Sequence, residues 1–217
     1  MDFFKEINGI QYDRYLKVCY GPIDKEKLSP SIEIVEGVTT IKERAFMDCT
    51  RLVSVKLPNS LKFLQREAFL GCKNLKEIQI PSGVDYIDDY VFSECERLEK
   101  IIFPLGLKYI GRGSFEKCAS LNKVILPIYF KRATFTSFAE CGDITFITSK
   151  VRFHHELQAT SNYRTFNYRV NVAGKAEKYL EEIKNELEGS IPDEEIKNLL
   201  AIEFYNYMDL EENLIET

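Results

Sequence analysis

Apolar residues recur through the middle of the chain at a constant interval of 23 residues. Phe46, Phe69, Phe92, Phe115 and Phe138 mark the period, and Cys49, Cys72, Cys95, Cys118 and Cys141 stand three residues after them. Leu52, Leu75, Leu98, Leu121 and Ile144 come three further on. Ile41, Leu64, Ile87 and Ile110 lie five before the Phe, with Val55, Ile78, Ile101, Val124 and Ile147 nine after it. Leu57, Ile80, Phe103 and Leu126 lie eleven after it. A fixed spacing of this size predicts stacked coils, each of which buries its neighbour's apolar side chains.

The finer pattern predicts what one coil contains. Val55-x-Leu57 alternates inward and outward, the periodicity of a strand. Pro58, Pro81, Pro104 and Pro127 then close it, because proline has no N–H for the next ladder bond. Ala45-Phe46-x-x-Cys49 has the spacing of a short helical turn on the opposite side. Successive strands are expected to pair in parallel at about 4.8 Å, with right-handed connections. Each buried Leu, Ile or Phe contributes about 1.5–3 kcal/mol, so the stack is stable where one coil is not. Ile32, Ile34 and Val38 match Val55, Leu57 and Leu61 and form a half-repeat; in the last unit Ala133 and Ser149-Lys150 replace the usual residues.

This pattern, I-x3-A-F-x2-C-x2-L-x2-V-x-L-P, resembles the BspA-type leucine-rich repeat family over residues 27–150. The resemblance implies a leucine-rich-repeat solenoid, α/β but strand-dominated, with a parallel sheet on the concave side and short turns or helical turns on the convex side. It also implies a surface-exposed or secreted protein of adhesion or host contact.

The flanks read as caps. In residues 1–26, Ile10-x-Tyr12 and Leu16-x-Val18-x-Tyr20 suggest a strand pair covering the first coil's open edge. Residues 151–217 hold a strand around Phe166–Val172 and then a helical hairpin. Ala176, Tyr179, Leu180, Ile183 and Leu187 mark its first helix, closed by Gly189. Ser190 and Pro192 open the second, with Ile196, Leu199, Leu200, Ile202, Phe204 and Tyr207. The hairpin is either a cap or an interaction element, through which the chain could form a homo-oligomer.

Charge separates this end from the rest. Residues 175–217 carry 13 acids and 4 bases, a net of −9, so a chain of net −5 keeps +4 elsewhere. The bases are dispersed, not gathered into an aromatic-laced stripe, which argues against nucleic acid. No apolar run approaches the ~20 residues of a membrane span.

Five of the six cysteines share one column, where neighbouring Cβ atoms at about 4.8 Å are too far apart for a disulfide. A linear ladder also fails to converge four ligands on a metal. They are expected to be free, buried thiols, with Cys19 outside the column as the most reactive. Unpaired thiols and the lack of a visible signal peptide favour the cytoplasm; a secreted or cell-surface protein with its signal removed is the alternative.

Candidate chemistry is sparse. Gly111-Arg112-Gly113 faintly echoes a phosphate loop but falls on a repeat turn. His154-His155 would face opposite ways on a strand. There is no nucleophile–base set, so no catalytic residue, metal or cofactor is assigned. The outward strand positions are more telling. They run Ser54, Glu77, Lys100, Lys123, Phe146 and Lys56, Gln79, Ile102, Ile125, Thr148. Ile102, Ile125 and Phe146, bordered by Lys100, Lys123 and Thr148, are expected to form an apolar patch for a protein partner. The expected function is a non-enzymatic binding module acting through its concave face, in adhesion or host contact. The alternative is an intracellular inhibitor or scaffold that also uses the acidic helices.

Overall fold

The structure is a computed structural model and describes residues 3–104, 106–127, 130–134, 136–148 and 168–172. Strands are numbered in chain order. An N-terminal meander comprises β1 (Phe4–Ile7), β2 (Ile10–Asp13) and β3 (Val18–Pro22). Each later coil contributes two strands. Three-residue strands come first: β4 (Ser31–Glu33), β6 (Ser54–Lys56), β8 (Glu77–Gln79), β10 (Lys100–Ile102) and β12 (Lys123–Ile125), followed by the longer β14 (Ile144–Thr148). Two-residue strands alternate with them: β5 (Thr40–Ile41), β7 (Phe63–Leu64), β9 (Tyr86–Ile87), β11 (Tyr109–Ile110) and β13 (Arg132–Ala133). β15 (Tyr168–Val172) realises the strand expected around Phe166–Val172.

The strands form three sheets. The short ones continue the meander in the order β1-β2-β3-β5-β7-β9-β11-β13. The longer ones form β10-β8-β6-β4 and β12-β14-β15. Pairing is parallel from coil to coil, and antiparallel only within the meander. β3 joins β5 in parallel, with Cys19 beside Ile41. The meander thus adjoins the first coil through β3, and it has three strands where the spacing suggested two. The second strand of each coil was not foreseen, because two residues are too few to show alternation.

The Ala-Phe-x-x-Cys segment is a run of turns and not a helix. Arg44 and Asp48 have φ of 59° and 57°, and Glu67, Tyr90, Glu94, Lys117 and Glu140 repeat this left-handed state in later coils. A left-handed residue breaks the helical path and turns N–H groups along the stack. They bond the next coil instead: Phe46 N–H donates to the Ala68 carbonyl at 2.7 Å, and Phe69 N–H to that of Val91 at 2.9 Å. Each such residue costs about 1–2 kcal/mol of backbone strain, which these inter-coil bonds offset. Among the described residues, these turn bonds add a third line of hydrogen bonds between coils to the two lines of strand pairing, the longer strands being interrupted between β10 and β12.

The core is a set of columns. The five period-marking Phe rings are buried and stack with centroids 5.1–5.5 Å apart and interplanar angles of 4–16°. Phe103 meets Phe115 edge-on at 5.8 Å. The Ile41, Val55 and Leu57 columns are buried as far as Ile110, Val124 and Leu126.

Candidate functional site

The cysteines offer no reactive group. All six are free and buried. Four of the ladder thiols donate to the Phe carbonyl one coil back: Cys72 to Phe46, Cys95 to Phe69, Cys118 to Phe92 and Cys141 to Phe115, at 2.9–3.3 Å. Cys19, expected to be the most reactive, is instead fully buried, and burial pushes its thiol up to about 12. Its place beside Ile41 makes it the first member of that inner column, out of reach of reagents.

Gly111-Arg112-Gly113 lies in a repeat turn. A Cβ at Gly111 would come within 2.8 Å of the Asp88–Asp89 backbone, so this glycine lets two coils approach. Arg112 N–H donates to Asp89 Oδ1 at 2.7 Å, which occupies a donor that a phosphate would need. Among the described residues no group of His, Cys, Asp or Glu could hold a metal, and no helix is long and apolar enough to cross a membrane. His154-His155 and the helical hairpin over 176–207 lie outside the described residues.

The expected partner patch is changed at one end. Lys100, Ile102, Lys123 and Ile125 occupy outward positions on β10 and β12, all half-buried, flanking the buried Ile101 and Val124. On β14, however, Thr145 pairs with Lys123, Phe146 with Val124 and Ile147 with Ile125. The last coil is thus one residue short between Ile144 and the paired positions, because β14 starts directly at Ile144 where earlier coils have a bend. Phe146 is therefore in register with the row of Val55, Ile78, Ile101 and Val124, and Ile147 with the row of Lys56, Gln79, Ile102 and Ile125. Thr148 lies one position past the partner of Ile125 and so leaves that row too. The outward row reads Glu33, Lys56, Gln79, Ile102, Ile125, Ile147.

A second row went unnoticed in the sequence. On the short strands, Thr40, Phe63, Tyr86, Tyr109 and Arg132 lie side by side, next to the buried Ile41 column. Phe63, Tyr86 and Tyr109 are 60, 44 and 38 % exposed, whereas the period-marking aromatics are buried. Their signal was legible, since they too are spaced by 23 residues. One strand per coil leaves these positions without an element, and only the second strand gives them a common face.

Charges pair across coils. Lys56–Glu33, Lys73–Glu96, Lys108–Asp85 and Lys117–Glu94 bridge residues one coil apart at 2.7–3.2 Å. All are solvent-exposed, so they matter for register more than for stability. Glu67 is the buried exception: its carboxylate accepts from Arg44 Nε and Arg66, and the Arg44 guanidinium holds it below the usual carboxylate range. On the same side, Arg66 and Arg112 stand over the Tyr90 ring at 5.9 and 5.5 Å.

The profile of the BspA type leucine rich repeat region matches residues 25–145 in six copies. The chain belongs to the BspA-type leucine-rich repeat family. Its fold is similar to that of a leucine-rich repeat protein of T. pallidum, with 27 % identity, a TM-score of 0.54, and coverage of 66 % of this chain and 68 % of that one. The pneumococcal vaccine antigen PcpA has 19 % identity and a TM-score of 0.58, over 77 % of this chain and 47 % of that one. A Bacteroides ovatus leucine-rich repeat protein has 30 % identity and a TM-score of 0.49, over 67 % of this chain and 36 % of that one. The chain thus spans less than half the length of the last two. No curated protein matches it in sequence.

Proposed function

We propose that this leucine-rich repeat protein is a non-enzymatic binding module that takes a protein partner on the outward face of β10, β12 and β14. The observation that carries this reading is a switch along one row. Its early members are Glu33, Lys56 and Gln79; its late members are Ile102, Ile125 and Ile147. Alternation normally places polar groups outward, and a local run of apolar ones bordered by Lys100 and Lys123 is the composition of an interface. Repeat solenoids serve chiefly as extended binding surfaces, which supports a role without catalysis. Adhesion or host contact is the setting the family resemblance favours. The net charge of −9 over residues 175–217 supports a second reading, an intracellular inhibitor or scaffold in which that segment also engages the partner or a second copy.

The test is affinity capture from the source cells with the wild-type chain and Ile125→Asp side by side, folding being checked by circular dichroism. Proteins retained by the wild type and lost by the folded variant support the reading. An unchanged set of retained proteins removes this face.

A further inference from the structure

The Phe63–Tyr86–Tyr109 row is not used by the reading above and lies on a different sheet, so either surface can fail alone. We infer that the outward face of β7, β9, β11 and β13 is a second docking surface, whose occupant is an acidic polypeptide segment lying across the strands, along the stack.

Three observations lead there. The first is exposure. A folded repeat has space for aromatics in its columns, yet these three remain 60, 44 and 38 % exposed on adjacent strands. A contiguous apolar row of this kind is costly to leave wet and marks an interaction site. The second is charge. Lys62, Lys108, Lys131 and Arg132 are exposed along the row. The acids beside it are Asp85, which Lys108 holds at 3.1 Å, Asp88, which accepts the Asp89 N–H at 2.7 Å, and Asp89, which accepts the Arg112 N–H at 2.7 Å. Four cations against three carboxylates, each already engaged, leave the face positive. The Lys131 ammonium stands over the Tyr109 ring at 5.9 Å, so cation and aromatic present one composite surface. The third is length. Four strands at about 4.8 Å spacing span about 14 Å, which an extended chain at about 3.3 Å per residue crosses in four or five residues.

Asp85 and Asp88 also decide between classes of partner. A continuous polyphosphate backbone would pass over both carboxylates, whereas a peptide can place apolar side chains there and its own acids opposite Lys62, Lys131 and Arg132.

The experiment is selection of a random displayed peptide library on the full-length chain. The expected winners combine Asp or Glu with an aromatic or large aliphatic residue. Their binding should weaken about tenfold or more on Tyr109→Ala and on Lys131→Glu, weaken with added salt, and stay unchanged on Ile125→Asp. Lys131 is exposed, so its variant keeps the test valid should Tyr109→Ala perturb folding. Neutral or basic winners, winners indifferent to both variants, or no enrichment at all would overturn the inference.

Discussion

The Sγ of Cys95 donates a hydrogen bond to the carbonyl oxygen of Phe69, 3.3 Å away in the preceding coil. The same bond recurs at Cys72, Cys118 and Cys141, so the ladder cysteines are donors as well as small apolar fillers. Cys95→Ala removes both roles and should cost about 2 kcal/mol. Cys95→Ser should stay within about 1 kcal/mol of the wild type, because its hydroxyl can reach the same carbonyl. Urea denaturation distinguishes the two; a serine variant less stable than the alanine one would show the donor role to be negligible.

The buried thiols predict alkaline sensitivity. Burial pushes Cys19 up to about 12 and Cys49 up to about 11. Above about pH 8.5 the unfolded chain releases these protons while the folded chain keeps them. The folded state then binds more protons, and stability falls as pH rises, by about 1.4 kcal/mol per pH unit for each such thiol. Urea midpoints should be flat from pH 7 to 8, decline from about pH 9 towards 11, and decline less steeply in Cys19→Ala. A thiol reagent should find none of the six cysteines in the native protein and all six after denaturation; early reaction of Cys19 would contradict its burial.

Gly21 joins the meander to the first coil. Its φ is +94°, and a Cβ there would stand 1.7 Å from the Ala45 carbonyl oxygen. That neighbour is backbone and cannot rotate aside. Gly21→Ala should cost about 2–4 kcal/mol, from overpacking and left-handed strain together. Gly9, also left-handed but with open space around it, should tolerate alanine better. Thermal melts of the two variants check the order.

The register of the last coil is testable by two adjacent substitutions. Phe146 pairs with Val124 and Ile147 with Ile125. Phe146→Asp should lower the melting temperature sharply, since its row is buried in the preceding coils, whereas Ile147→Asp should leave it nearly unchanged. The reverse order would restore the uninterrupted spacing of 23 residues.

How much of this was readable in advance differs from feature to feature. The Phe and Cys columns were, because each member meets its own equivalent in the next coil. The left-handed Arg44 and Asp48 were not. Arg44 gives no sign of positive φ, the hints from Asp48 and from Gly71 and Gly113 at the equivalent positions are weak, and what stabilises the turn is a carbonyl of the following coil. The outward isoleucines at 102 and 125 were found by alternation, but Phe146 was misplaced by the residue missing after Ile144. Phe63, Tyr86 and Tyr109 were overlooked because their strands exist only as pairings with neighbouring coils.

The sequence by itself determined the stack: its period, its inner columns and the parallel order of its coils. These follow from repetition alone, since equal spacing along the chain becomes adjacency in space. Only the tertiary structure decided that each coil carries a second strand, that its turns bond along the stack, where the last coil slips by one residue, and which outward rows remain in contact with water. Those outcomes depend on where a neighbouring backbone offers its donors and acceptors, and no single repeat contains that information.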